Sequence, residues 1–188
     1  MSAGDRSVGG YVSWDGSPRA VARLRDAVMP HAPAGVLRVV LQQLALHEEG
    51  REVGRHEVID AILDVGGNLV AVSMLESVRA DAAASAALDG ALAQLRADIA
   101  EELHAAPDSL EAVLDGDGGR EVRLMLAAEI SPGELAQRPA PDLLHDGDFH
   151  VRHGAPALDD LRDRLAAPPT GRLRRVLGGL RERFVRRA

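Results

Sequence analysis

The chain has 188 residues, of which 46% are hydrophobic and 27% charged, and its formal net charge is −7. This length and composition predict one globular domain, or one domain with an appended tail. Cysteine is absent, which excludes disulfides, thiolate nucleophiles and cysteine-ligated metal sites. Aromatic residues make up only 2% of the chain, and this argues against a protein that stacks bases or sugars on aromatic rings.

Residues 1–10 are polar and glycine-bearing, and they lack the apolar core of a secretory signal peptide. We expect them to form a flexible lead. No apolar run in the chain approaches the roughly 18 residues that a transmembrane helix needs. The sequence therefore predicts a cytoplasmic protein that meets a membrane, if at all, only from its surface.

The first elements are predicted from turn and capping residues. Residues 11–14 suit a short strand, and residues 15–18 suit a turn. Ser17 is a typical N-cap residue, and Pro18 is favoured at the first position of a helix. We expect this helix to run from Pro18 to Pro30.

Long apolar repeats dominate the middle of the chain. Apolar residues recur every three or four positions in residues 34–49, 56–65 and 81–105, which indicates helices with one buried face. Residues 69–75 are ambiguous, because their β-branched content permits a strand, but Asn68 as a cap favours a helix. We therefore predict a mainly α protein with a helical bundle-like core, and α+β is the alternative.

Residues 59–75 can also be laid on a helix-turn-helix frame with Gly66 in the turn. The second helix of that frame would be almost wholly apolar and would offer DNA no base-reading side chain beyond Asn68. A buried helix is the favoured interpretation.

After Pro107 the pattern changes to one typical of a β-hairpin, with arms at 110–114 and 120–130. Two short helices are the alternative, because the second arm is rich in helix-forming residues. The turn 115–119 resembles a calcium loop only superficially, because no bidentate glutamate follows at the required distance. Ser131 and Glu134 predict a capping box that begins a short helix. We expect an irregular loop at 139–156 and a helix at 157–167.

The segment 145–153 holds imidazoles and carboxylates, the ligand types that zinc, manganese or iron prefer. If residues 148–152 are extended, Asp148 and His150 share a face and the flanking histidines can fold towards them. The candidate metal ligands are His145, Asp148, His150 and His153. The spacing matches no known metal motif, so a solvated loop is the favoured interpretation. No other cofactor is predicted.

The C-terminal segment carries the strongest functional signal. Pro168 and Pro169 separate residues 170–188, in which seven arginines and Glu182 give a charge of +6, so that the remainder carries −13. The pattern predicts a basic amphipathic helix. Its surface-binding residues are an apolar stripe with surrounding arginines: Arg172, Leu173, Arg174, Arg175, Val176, Leu177, Leu180, Arg181, Arg183, Phe184, Arg186 and Arg187.

We therefore expect a flexible lead at 1–10, a mainly helical domain at 11–167 and the basic helix at 168–188. The predicted function is that of a non-enzymatic interaction or regulatory protein whose C-terminal helix contacts an anionic membrane surface or an acidic protein partner. Docking of this helix on its own domain is the competing interpretation. The alternatives are a nucleic-acid-associated regulator that uses the same helix, and a metal-dependent enzyme that uses the histidine segment. Self-association into a homo-oligomer stays open.

Overall fold

A computed structural model of the chain describes residues 11–125, 130–137 and 143–167. The strands are β1 (Val12–Ser13), β2 (Val36–Glu48), β3 (Arg51–Val65), β4 (Asn68–Ser73), β5 (Ser109–Asp115) and β6 (Arg120–Met125). The helices are α1 (Pro18–Val28), α2 (Leu75–Ala80), α3 (Ala82–Leu103), α4 (Pro132–Leu135) and α5 (Gly147–Ala166), with a 3₁₀ turn at Met29–His31. The strands form one antiparallel sheet in the order β1-β6-β5-β2-β3-β4.

The expected mainly α, helical bundle-like fold is wrong, because the protein is α+β with helices packed on a six-stranded sheet. The predicted helices at 34–49, 56–65 and 69–75 are strands β2, β3 and β4. The central strands are covered on both faces. Val39 and Leu41 pack with α1 and α3, whereas Val40 between them packs with α5. Burial on both faces produces a continuous apolar run, which hides the period of two and mimics helical spacing.

The helix-turn-helix frame is wrong for a related reason. Gly66 and Gly67 form a two-residue turn between β3 and β4, and both have positive φ, at 62° and 88°. Such a turn matches the twist of the two strands and is adopted readily by glycine. Residues 59–75 are therefore a β-hairpin followed by the start of α2.

Elements with strong local signals are confirmed. The strand at 11–14, the helix at Pro18, the alanine-rich helix and the hairpin of β5 and β6 all occur. Ser131 and Glu134 form the predicted capping box, with the Ser131 N–H 2.8 Å from Glu134 Oε2. Ser17 does occupy the N-cap position of α1, but its hydroxyl donates to Asp98 on α3 and makes no cap bond.

One face of the sheet is covered by α1, α2 and α3 and is mainly apolar, with Gln43, Glu57 and Arg96 hydrogen-bonded to one another beside the apolar core. Its core joins the helices to strands β2, β3, β5 and β6, and its largest fully buried side chains are Leu24, Leu41, Ile59, Leu88, Leu95, Ile99, Leu110, Leu114 and Leu124. We call this the helical face. Among the described helices, none combines the length and the apolar composition that a membrane span requires.

The opposite face, here the clamp face, is covered by α5, which packs on β4, β2 and β3. It holds two small apolar clusters. Leu44, Met125 and Ile130 form one, and Val40, Ile62 and Leu158 form the other. The loop expected at 139–156 is wrong from residue 147 onward, because the Asp146 side chain accepts the N–H of Phe149 and begins α5 there. Pro156 lies inside this helix.

Candidate functional site

A row of polar side chains crosses the clamp face between its two apolar clusters. Gln42 on β2 lies directly opposite Glu111 on β5, and Glu111 lies directly opposite Arg123 on β6. Side chains at opposed positions of neighbouring strands project to the same face. This register therefore places an amide, a carboxylate and a guanidinium side by side under the start of α5.

Glu111 is the centre of the row and is fully buried. Its Oε2 lies 2.9 Å from His145 Nδ1, and its Oε1 lies 2.7 Å from His150 Nε2. Arg123 Nη1 lies 3.6 Å from Oε1 and holds Glu121 with two bonds of 2.9 Å. One carboxylate oxygen of Glu111 thus bonds His145, just before α5, and the other bonds His150, in the first turns of α5.

The ionisation of Glu111 follows from these contacts. Burial raises its pKa, but the hydrogen bonds to His145 and His150 outweigh burial and lower the pKa from 4.5 to about 2. An ionised carboxylate only accepts hydrogen bonds, so each imidazole donates the proton on the nitrogen that faces it. The Glu111 carboxylate is therefore a buried anion that accepts hydrogen bonds from two imidazole N–H groups and lies beside the Arg123 guanidinium.

A second set of bonds ties the residues before α5 to the sheet. Gln42 is fully buried; its Nε2 donates to the Leu143 carbonyl at 2.9 Å, and its Oε1 accepts the His145 N–H at 3.0 Å. Tyr11 also bonds Gln42 and lies 2.9 Å from Ser109 Oγ. Burial raises the pKa of Tyr11 to about 12, so the phenol stays neutral. We call Gln42, Glu111, His145 and His150 the clamp.

Aromatic rings close the clamp from outside. His145 stacks between Tyr11, at a centroid distance of 4.2 Å, and Phe149, at 3.9 Å. The chain has few aromatic residues, and two of them cover this one imidazole. Stacking and hydrogen bonding together fix the ring of His145 in one orientation.

An open cleft of about 670 Å³ lies next to the clamp, beside the N-terminus of α5. Asp60 on β3 lines it and accepts the Gly147 N–H at 2.8 Å. Burial raises the pKa of Asp60, helped by Asp146 and opposed by the bond from Gly147. Burial likewise lowers the pKa of His56, another lining residue, against the attraction of Asp146 and Asp60. The remaining walls are mixed, with acidic Asp148 and apolar Leu75, Leu135, Leu144 and Val151.

The structure brings together only part of the predicted metal set. His145 and His150 meet on Glu111, whereas Asp148 lines the cleft and His153 is exposed, with its Nδ1 3.0 Å from the Phe149 carbonyl. The extended geometry assumed for Asp148 and His150 is wrong, because both lie on α5. Within the described ranges, no three histidine or acidic side chains form a group that could hold a metal. Metal binding stays a prediction.

Sequence reasoning missed Glu111 and Gln42. The available signal was the polar residues inside two apolar runs, Gln42 and Gln43 within 39–44 and Glu111 within 110–114. A buried polar side chain needs a partner, so such a residue in a central strand indicates a specific contact on that face.

The predicted surface-binding residues, from Arg172 to Arg187, lie outside the described residues, as does the lead at 1–10. Compared with protein-family models and with curated proteins, the sequence matches none.

Proposed function

We propose that this is a non-enzymatic interaction protein that binds an anionic membrane surface through its basic C-terminal segment, Arg172–Arg187. The observation that supports a binding role is the enclosure of the clamp. Its carboxylate and its two imidazoles are buried and bonded to one another, so this cluster is closed to a substrate. Their evident use is to hold α5 against the sheet.

The clamp matters for this proposal because α5 ends at Ala166, a few residues before the basic segment in the chain. Because α5 is fixed at its N-terminus, the end of the helix at Ala166 has a defined position on the domain. In the proposal, the apolar stripe of Leu173, Val176, Leu177, Leu180 and Phe184 enters the boundary of the bilayer, while the arginines contact lipid phosphates.

A membrane offers an apolar phase beneath an anionic surface, which suits a segment with both an apolar stripe and a charge of +6. An acidic protein with an apolar groove would offer the same chemistry and is the alternative partner. The acidic remainder of the chain disfavours close approach to either partner elsewhere, which directs contact to the segment. In this proposal the protein is cytoplasmic and peripheral at the membrane.

The test compares binding of the full chain to phosphatidylserine-containing vesicles with binding to neutral vesicles. The variant carries Arg174→Gln, Arg175→Gln and Arg181→Gln. Each arginine contributes roughly 1 kcal/mol at an anionic surface, so the triple variant should bind about a hundredfold more weakly. The matched control carries Arg19→Gln, Arg23→Gln and Arg51→Gln, three exposed arginines of the domain, and should bind nearly as well as the wild type.

Two results would overturn the proposal. One is equal loss of vesicle binding in the variant and its control. The other is no binding to anionic vesicles at low salt. In that second case, salt-dependent binding to duplex DNA would favour the nucleic-acid alternative. A lower melting temperature of the triple variant without any binding would instead favour docking of the segment on its own domain.

A further inference from the structure

The two edges of the sheet differ in how they are protected. β1 forms one edge and has only two residues, Val12–Ser13. β4 forms the other edge with six residues, Asn68–Ser73. Short strands, charges, prolines and bulges are the usual devices that stop an edge from pairing with another chain. β4 is regular in its pairing with β3 and contains neither a charged residue nor a proline.

The register shows which backbone groups of β4 face outward. Met74 N donates to Ile59 O at 2.7 Å, and antiparallel bonding pairs alternate, so residues 68, 70, 72 and 74 bond to β3. Leu69, Ala71 and Ser73 therefore direct their backbone N–H and C=O groups away from β3. Within the part of the chain that the structure describes, no second strand lies alongside them.

An apolar patch adjoins this edge on the helical face. Val72 is 45% exposed and Val65 is 59% exposed. Val72 lies opposite Ala61, a core residue of that face, which confirms the side to which it projects. Among the described residues, the edge thus offers both backbone groups without a strand partner and apolar side chains.

We propose that β4 pairs with β4 of a second copy of this chain, so that two sheets join into one across a two-fold axis at Ala71. The strand is its own complement in this register. Ala71 meets Ala71 of the second copy and Leu69 meets Ser73, which pairs all the outward backbone groups. Val70 then lies opposite Val72 of the second copy, and the four valines of the dimer form one apolar cluster.

The choice of a second copy over a foreign peptide rests on charge and symmetry. An isologous contact requires a surface that complements itself, and the uncharged strand does so without placing like charges opposite each other. Because β4 has no charged side chain, it offers no ion pair that would select a charged peptide. The inference is independent of the basic segment, because it concerns mass in solution and not membrane binding.

The first test measures the mass of the full chain by sedimentation over a wide range of concentration. We expect a reversible dimer. Val72→Lys should weaken it about tenfold or more, because each ammonium would enter the valine cluster. The control Val53→Lys changes a valine of similar exposure, 52%, at the far end of β3, and should leave the dimer intact.

A backbone variant separates strand pairing from side-chain contact. Ser73→Pro removes an N–H that faces outward and so leaves the bonds to β3 in place, but it should weaken the dimer. Ser73→Ala removes the hydroxyl, which bonds Asp60, and keeps the N–H, so it should dimerise normally. A wild type that stays monomeric at all concentrations would overturn the inference, as would equal effects of Val72→Lys and Val53→Lys.

Cross-linking reports the register directly, because the chain has no cysteine of its own. Opposed residues of a non-hydrogen-bonded pair lie about 4.5 Å apart at Cα, within reach of a disulfide. The double variant Val70→Cys, Val72→Cys should form a covalent dimer on mild oxidation, with Val53→Cys as a control that does not. A dimer that forms in solution but never cross-links at these positions would place the interface elsewhere.

Discussion

The helices on the two faces of the sheet are attached to it by different interactions. On the helical face, α1 and α3 cover an apolar core in which Leu24, Leu88 and Leu95 are fully buried. On the clamp face, α5 covers two small apolar clusters and the polar row centred on Glu111. Apolar burial is non-directional and tolerates some sliding, whereas a buried carboxylate with two partners is satisfied in one position only. The helical face therefore supplies most of the stability, and the clamp fixes where α5 begins.

The largest expected effect lies on the helical face. Leu95→Ala removes a fully buried side chain from α3 and should lower the free energy of unfolding by about 3 to 4 kcal/mol. Chemical denaturation measures this loss. Leu103→Ala on the same helix removes a side chain that is 40% exposed and should cost much less. Similar losses for the two variants would mean that α3 is not packed as described.

Glu111→Gln should cost about 3 kcal/mol, because an amide cannot accept from both imidazoles and leaves buried donors without partners. Hydrogen exchange should locate the loss in residues 143–150, whereas Leu95→Ala should raise exchange across the domain. The control is Glu121→Gln, which removes a half-exposed partner of Arg123 and should cost less than about 1 kcal/mol. If Glu111→Gln and Glu121→Gln lower the free energy of unfolding equally, Glu111 does not anchor α5.

Acid should weaken the clamp selectively. The pKa of Glu111 falls from 4.5 to about 2 on folding, so the folded state binds fewer protons between these values. The stability that Glu111 contributes is complete above the unfolded pKa and is lost as the pH falls from about 4.5 to about 2. The difference in unfolding free energy between wild type and Glu111→Gln should shrink by about 2 kcal/mol between neutral pH and pH ~3. Parallel pH curves for the two proteins would contradict this.

The contrast between the faces also explains what could be predicted from the sequence. α3 and the turn of β5 and β6 follow from local signals: an alanine-rich run and consecutive Asp-Gly pairs. Strands β2 and β3 do not, because their apolar residues are buried on both faces. The helix that covers the second face, α5, comes from residues far along the chain. The helical spacing in residues 36–44 is a coincidence of apolar residues that project alternately to the two buried faces.

The same limit applies to the site. His145 and His150 are two of the four predicted metal ligands, but their partner Glu111 is 34 and 39 positions away in the chain. Ligand chemistry suggested a metal at these histidines, whereas the fold supplies a carboxylate from the sheet instead. Glu111 itself resembles any glutamate in an amphipathic strand until the register places it opposite Gln42 and beneath α5.

The smallest effect compares two glycines of α5, and it separates close packing at the clamp from helix propensity. A Cβ at Gly147 would lie 2.6 Å from the Ala71 Cβ and 3.0 Å from the Asp60 Cβ, whereas nothing lies within 4 Å of a Cβ at Gly154. Gly147→Ala should therefore destabilise by about 2 kcal/mol through overpacking. Gly154→Ala should stabilise by about 0.5 to 1 kcal/mol, because alanine favours a helix interior. Thermal and chemical unfolding measure both. Opposite signs would show that the start of α5 packs tightly on β3 and β4 while Gly154 lies free of such contact. Equal stabilisation by both variants would contradict the inference that the clamp face fixes where α5 begins.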